Sequence, residues 1–391
     1  MKIGLVCPYS LNKQGGVQEV VLALKDGLRK KGHDIRIITP KPRSNGSDSN
    51  GNATSGSHVE HADDIIYFGT STDFRSVSRT TAQISSTGDT EEVDAMLKDE
   101  DFDILHFHEP WIPFLSRQLL QRSNSVNIAT FHSKVPESLL PRSFVKVMTP
   151  YLRSVMKYLH VYTAVSDAGA EYVAGMTDAH ISIVPNGIDL KKYSKVTPKK
   201  KFNEENPTVL FIGRLEGRKG VKYLLSAFRR FAQDNPHARL VIVGDGPERE
   251  RLELLAEDLE IDNVTFMGHV SEERKLELLA EAELFCSPAL FGESFGIVLL
   301  EAIATGTICI AGNNSGYVGV MRDMGALSLV NPEDTEEFAR RMHAFTHQKD
   351  LRKLWGKWAA GYVKQFDYPL VVDQYEKLYK ESLSAHGRNA K

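Results

Sequence analysis

Apolar and polar positions follow two rhythms along this chain. Residues 3–8 form a short apolar run, followed by a glycine turn at Gly15 and Gly16. The rhythm then changes: Val20, Val21, Leu24 and Leu28 recur at helical spacing, while Lys25, Arg29 and Lys31 lie off that face. Gly32 is placed to end the helix, and residues 34–40 read as the next strand. Strand, turn, helix, strand is the opening of a parallel α/β sheet. More strands are expected at 64–68, 103–108, 126–132 and 160–166, and helices at 115–122, 139–158 and 167–174. A second series starts at 208–215 and continues with strands at 238–246, 264–270, 284–289 and 307–312. Helices are expected near 220–233, 247–259, 271–281, 294–305 and over 348–386. No repeat of 20–50 residues is visible.

Two α/β series predict an α/β protein of two Rossmann-like domains. The first covers 1–195, a charged, proline-flanked linker 196–207, and the second 208–365; residues 366–391 form a helix expected to return to the first domain. Residues 44–58 are almost wholly polar and read as a loop. In such sheets ligands gather outside the carboxyl ends of the strands, in a cleft between domains.

Composition narrows the classes. The 391 residues suit two or three domains. Net charge is 48 − 51 = −3, which argues against a globally basic nucleic-acid binder. Three cysteines make no disulfide framework; Cys7, Cys286 and Cys309 each fall in an apolar strand and read as buried thiols. No run approaches the ~18 apolar residues of a membrane span, and the first apolar run is too short for a signal peptide. The sequons at Asn45 and Asn52 then read as polar loop, and the chain as cytoplasmic.

Four groups of residues offer chemistry. Gly15-Gly16, between a strand and a helix, allow close backbone approach to an anion. No Walker A sequence follows, and Gly244-Asp-Gly246 is not a dinucleotide fingerprint. Arg214 and Lys219 follow a strand and suit a diphosphate, with Arg218 read as a solvated neighbour. Glu293 and Glu301 are eight residues apart, roughly two and a quarter helical turns, so both lie near one side. Ser294, Phe295, Gly296 and Ile297 would then present N–H groups to a phosphate. Alone, the carboxylate pair also suits a glycosidase. His132 ends an apolar strand. His106 and His108 share a strand face, a spacing that fits zinc but lacks a third ligand at a standard interval. Asp101 and Asp103 precede their strand, the wrong edge for a metal-binding D-x-D.

Together these groups resemble the retaining family-4 glycosyltransferases of GT-B architecture, in which two Rossmann-like domains face across a cleft. The resemblance is carried by PYSLNKQGGVQ, HFHEP, ATFHS, AVSD, VPNGID, FIGRLEGRKG, IVGDGPER, FMGHV and ESFGIVLLEA, and spans nearly the whole chain. The first and last of these look most like the phosphatidylinositol mannosyltransferases. The resemblance implies a nucleotide-sugar donor, GDP-mannose, a lipid-linked or polyol acceptor, and no metal or other cofactor. It implies that Gly16 faces the donor diphosphate, Arg214 and Lys219 clamp it, and Glu293 holds sugar hydroxyls. Glu301 would bind the ribose, His132 would contact the sugar near the anomeric centre, and Gly268 to Val270 would line the base pocket. Tyr9, Gln18 and Ser133 are the acceptor-side positions.

Two departures concern the acceptor. Lipid-directed relatives carry a basic amphipathic segment in the first domain, where residues 86–103 here are acidic, and Lys13 stands where they tend to have an acid. A basic set, Arg142, Lys146, Arg153 and Lys157, has helical spacing among apolar neighbours. It reads either as a face for peripheral contact with the inner membrane surface or as a solvated face over the core. A GT-B nucleotide-sugar epimerase and a non-catalytic sugar-nucleotide-binding subunit are the competing functional readings.

Overall fold

The computed structural model describes residues 1–12, 15–41, 60–62, 64–75, 81–85, 89–112, 115–132, 142–196 and 202–387. The expected 44–58 loop with its sequons, Lys13 and Ser133 lie outside them. The chain packs as two compact units, Met1–Asn186 with Tyr368–Lys391, and Gly187–Asp367.

In the first unit the order is β1 (Lys2–Val6), α1 (Gly16–Lys30), β2 (Asp34–Lys41), β3 (Glu60–Ala62), β4 (Ile65–Arg75), β5 (Thr81–Ser85), α2 (Thr90–Glu100) and β6 (Ile104–His108). It continues α3 (Leu115–Arg122), β7 (Val126–Phe131), α4 (Arg142–Met156), β8 (Val161–Ala164), α5 (Asp167–Ala174) and β9 (Ile181–Ile183). The sheet order is β3-β4-β2-β1-β6-β7-β8-β9, with β5 beside β4. Along this order the pairings from β4 through β9 are parallel, and among the described residues the short β3 and β5 join β4 antiparallel.

Strand alternation divides the first core into two layers. Leu105, Phe107, Ala129 and Phe131 point into one, with Leu115, Leu119, Val155 and Met156. Ile3, Leu5, Ile104, Val126 and Ile128 point into the other. On that second face β6 and β7 turn polar toward their carboxyl ends, at His106, His108, Thr130 and His132, all buried.

The second unit runs α6 (Leu190–Val196), β10 (Thr208–Ile212), α7 (Val221–Asp234), β11 (Arg239–Val243), α8 (Arg249–Asp258), β12 (Val264–Gly268), α9 (Glu272–Glu281) and β13 (Leu284–Ser287). It continues α10 (Ile297–Ala304), β14 (Ile308–Gly312), α11 (Ser315–Val320), β15 (Leu329–Val330), α12 (Thr335–His347) and α13 (Lys349–Tyr362). Its sheet is parallel, in the order β12-β11-β10-β13-β14-β15.

The last helix, α14 (Tyr368–Ala385), belongs to the first unit. It buries Val371, Val372, Tyr375, Tyr379 and Leu383 at helical spacing in the second layer of that core. Gly27 of α1 lets the two helices approach, since a Cβ there would overlap the Val372 side chain.

Some boundaries differ from expectation. The first unit closes at Asn186 rather than 195, because α6 packs on α9 and α10. Phe202–Pro207, expected within a free linker, are tied to the second unit. Buried Glu283 accepts from the N–H groups of Asn203 (3.3 Å) and Thr208 (2.8 Å), and the Arg352 guanidinium lies 4.3 Å from the Phe202 ring centroid. The helix expected over 294–305 starts at Ile297. The expected helical run 348–386 is two helices, α13 and α14, joined by a 3-10 turn. Helices α2 and α12 are further elements that the apolar pattern alone did not mark.

Candidate active site

In the second unit the carboxyl edge of the sheet is built from glycine-dependent turns. Beyond β10 the chain passes Arg214 and buried Glu216 into a 3-10 turn at Gly217–Lys219. Gly220 follows at φ +69°, and a Cβ there would overlap the Pro288 carbonyl. Beyond β13, Gly296 sits at φ +102°, where a Cβ would lie 2.7 Å from the Tyr317 ring, and α10 begins at Ile297. Only glycine meets both demands at these turns. They bring Glu293 beside the basic turn. Arg218 Nη1 and Lys219 Nζ both reach Glu293 Oε1 at 2.7 Å. Arg218 Nε also donates to Glu216 Oε2 at 2.9 Å, and Arg214 Nη2 lies 3.0 Å from Glu216 Oε1.

The cluster corrects the expectation for Arg218. It is not a solvated neighbour: its side chain is 19% exposed, against 49% for Arg214. Burial opposes its charge, and Glu293 and Glu216 more than offset this, so its pKa is raised. Tyr317, fully buried beneath the turn, has its phenol pushed well up by burial and then by the Glu293 charge. The N–H groups that begin α10, at Ile297 and Val298, have no carbonyl four residues back within the helix, so this end is suited to an anion.

Glu301 belongs to a second cluster. It is 6% exposed, accepts from Tyr193 Oη at 2.7 Å, and pairs with Lys275 Nζ at 2.9 Å. Burial opposes the Lys275 charge, but Glu301 and then Glu272 raise its pKa. Glu293 and Glu301 therefore engage different partners. Gly268, at φ +67°, ends β12, and its carbonyl accepts from Gly244 N–H at 2.8 Å. Val270 is half-buried just before α9. Ser294, Phe295 and Gly296 form the turn that leads into α10.

In the first unit Gly15 caps α1, so Gly16 is its first residue, with backbone N–H at the helix start. Gln18 is buried and its amide donates to Ser10 O at 3.4 Å. Tyr9 has its hydroxyl pKa raised well above normal by burial, then by Glu109 and Cys7. The sequence reading missed Glu109. It is fully buried, in the left-handed region at φ +52°, at the carboxyl end of β6. Its Oε1 accepts the His132 backbone N–H at 2.8 Å, and its Oε2 accepts from Trp111 Nε1. An acid directly after an apolar strand was the available signal.

His132 is buried, and burial drives its imidazole pKa down to about 3, with Asn186 opposing. Its Nε2 is hydrogen-bonded to His108 Nδ1 at 2.8 Å. His106 is engaged elsewhere, by Tyr379 Oη at 2.7 Å and Thr130 Oγ1 at 2.6 Å. Asp103, on the amino edge as expected, accepts the Lys2 backbone N–H at 2.8 Å.

Two doubly wound parallel sheets, one with a basic turn and a helix N-terminus at its carboxyl edge, define the GT-B class of glycosyltransferase. Comparison with known proteins agrees. The family described as Glycosyltransferase Family 4 matches residues 14–192, and that described as Glycosyl transferases group 1 matches 193–361. A phosphatidyl-myo-inositol mannosyltransferase of Mycolicibacterium smegmatis is 31% identical over 388 residues, covering 99% of this chain and 95% of the relative. One of Propionibacterium freudenreichii is 30% identical over 386 residues, covering 97% and 94%. Among solved structures, a sucrose-phosphate synthase from Thermosynechococcus elongatus shares the fold at TM-score 0.76 and 20% identity, covering 98% of this chain and 99% of that one. The chain belongs to the family-4 glycosyltransferases. It is thus an enzyme of glycosyl transfer, which sets aside the epimerase and non-catalytic readings.

Proposed function

We propose that this enzyme moves a mannosyl group from GDP-mannose to a phosphatidylinositol-type acceptor, with retention of anomeric configuration and without a metal. The observation that carries this reading is the near full-length likeness to phosphatidyl-myo-inositol mannosyltransferases. The cluster on Glu293 supplies chemistry that fits it.

Cleaving a glycosyl phosphate builds negative charge on the departing diphosphate and positive charge on the sugar. Arg214, Arg218 and Lys219 are fixed cations for the first, and Gly16, Ser294, Phe295 and Ile297 add backbone N–H groups. The turns at Gly220 and Gly296 hold the groups of the second unit in place, so little reorganisation of them is needed during reaction. Glu293, an acceptor-only group when ionised, takes sugar hydroxyls once a diphosphate competes for its cations. Glu301 serves the ribose, Gly268 and Val270 the base, and His132 the sugar. In same-face attack the leaving diphosphate oxygen takes the acceptor proton, so no protein nucleophile is assigned.

Tyr9 and Gln18 are the acceptor-side groups. Arg153 and Lys157 are exposed four residues apart, while Leu152, Val155, Met156 and Leu159 are buried. That basic face suits peripheral contact with an anionic cytoplasmic membrane surface. Among the described residues no helix is long and apolar enough to cross a membrane.

The test is to incubate the full chain with GDP-mannose and phosphatidylinositol vesicles, with chelator present, and to follow products by mass spectrometry. A mannosylated lipid with released GDP is expected. UDP-glucose used in preference, or no lipid product from any inositol lipid, would overturn the donor or acceptor assignment.

A further inference from the structure

Five polar side chains of the second unit form one chain of contacts that starts and ends on α6. Lys192 Nζ reaches Glu272 Oε1 at 2.7 Å, and Lys275 Nζ reaches the same oxygen at 2.9 Å. Lys275 Nζ also pairs with Glu301 Oε1 at 2.9 Å, and Tyr193 Oη donates to Glu301 Oε1 at 2.7 Å. Charge alternates along the chain, two ammonium groups against two carboxylates. Exposure falls at each step from Lys192 to Glu301.

Docking α6 on α9 and α10 explains why these groups meet, but not how Glu301 is used. Both of its donors converge on Oε1. Its Oε2 takes no hydrogen bond among the described residues, yet it is not one of the buried polar atoms left without one, so it keeps contact with solvent. A carboxylate that only held helices together would be best served by donors on both oxygens, because buried charge is costly unless fully paired. Here one oxygen is spent and the other is presented. Glu301 lies one turn into α10, whose Cα–Cβ bonds tilt toward the helix start that suits a diphosphate. An anionic oxygen with two lone pairs matches a vicinal diol, which brings two O–H donors to one acceptor.

We propose that Tyr193 is a positioning residue for nucleotide recognition. With Lys275 it occupies Glu301 Oε1 and leaves Oε2 turned to the vicinal diol of the donor's ribose, so that the site tells a ribonucleotide from its dideoxy counterpart. This deepens, and rests on, the reading that Glu301 serves the ribose. Tyr193 acts through the carboxylate and not on the nucleotide.

Calorimetric titration of the full chain with GDP and with 2′,3′-dideoxy-GDP tests it. The wild type should bind GDP at least about tenfold more tightly, the factor that one hydrogen bond to a charged group supplies. In Tyr193→Phe the carboxylate is free to turn. GDP should then weaken by roughly threefold or more, while dideoxy-GDP stays within about twofold of its wild-type affinity. That retained affinity also shows that the variant is folded; Tyr193→Leu makes the same cut if the first variant does not melt cooperatively. An unchanged ratio of the two affinities, or an equal loss for both nucleotides, would overturn the role of Tyr193 and leave the ribose reading standing. A wild type that binds both nucleotides alike would remove the ribose from Glu301, and the proposal with it. Binding of UDP in place of GDP would overturn the donor assignment alone, and UDP with 2′,3′-dideoxy-UDP then gives the same ratio.

Discussion

Glu293 carries two cations on a single oxygen, Arg218 Nη1 and Lys219 Nζ, each at 2.7 Å. A carboxylate in that place is a modest counter-ion, and a diphosphate offers more acceptor oxygens to the same groups. We expect Lys219→Ala and Arg218→Ala each to slow donor turnover by about 10²–10³-fold, the usual effect of removing one transition-state donor. Initial rates of GDP release would show it, and unchanged rates would remove the clamp. Lys219 and Glu293 were legible in the sequence because each lies in a recognisable turn after a strand. Arg218 was not: an arginine beside a lysine in a polar loop has no periodicity to mark it. Its burial arises only when Glu216 and Glu293, 77 residues apart in sequence (293 − 216), fold to either side of it. His108 was marked only for its spacing from His106; its hydrogen bond to His132, just past the neighbouring strand, is a tertiary contact that spacing along one strand does not show.

At the scale of elements, α14 carries much of the first unit's polar order. Tyr379→Phe removes a buried partner from His106 and should cost roughly 1–3 kcal/mol in unfolding free energy measured by urea titration. The histidines beneath it give the fold an acid sensitivity. His106 and His132 have folded pKa values of about 3 against 6.5 for the free group. The unfolded chain binds their protons first, so their contribution is complete above about pH 6.5 and is lost as pH falls toward 3. Glu376, held by Lys31 and Lys380, has its pKa lowered to about 2 from 4.5, so its contribution is lost only below about pH 4.5. Melting temperature should therefore start to fall between pH 6.5 and 4.5, before Glu376 titrates; a flat profile there would contradict the histidine assignment. Gly220→Ala should destabilise by at least ~1–3 kcal/mol, because a left-handed residue would also meet the Pro288 carbonyl. Among elements, the longer parallel strands were legible from their apolar runs, whereas the short β3, β5 and β15 were not, and α14 was read only as part of one helical run. Helix α12 was not, although Asp334 caps it and Phe338, Ala339, Met342 and Phe345 form its buried stripe. Its apolar positions are interrupted by Arg340, Arg341 and His343, and the strand before it, β15, is only two residues long.

At the scale of the molecule, the GT-B architecture was legible from two series of strands and helices, while the division between units was not. The charge and prolines of 196–207 pointed to a linker, but α6 docks on α9 and α10 through Tyr193 and Lys192, so the units part at Asn186. Local composition carries no trace of those contacts. The three cysteines follow the sequence reading: Cys7, Cys286 and Cys309 are buried, and burial pushes all three thiols up. The native chain should resist a thiol reagent at pH 8 and react at three sites once denatured. The most direct test of the central claim, that the second unit grips the donor diphosphate through cations held by Glu293 and Glu216, is calorimetric titration of GDP-mannose into wild type and Lys219→Ala. Binding by the wild type, weakened at least tenfold in the variant, is expected. Equal affinity in the two proteins, or no binding by either, would contradict it.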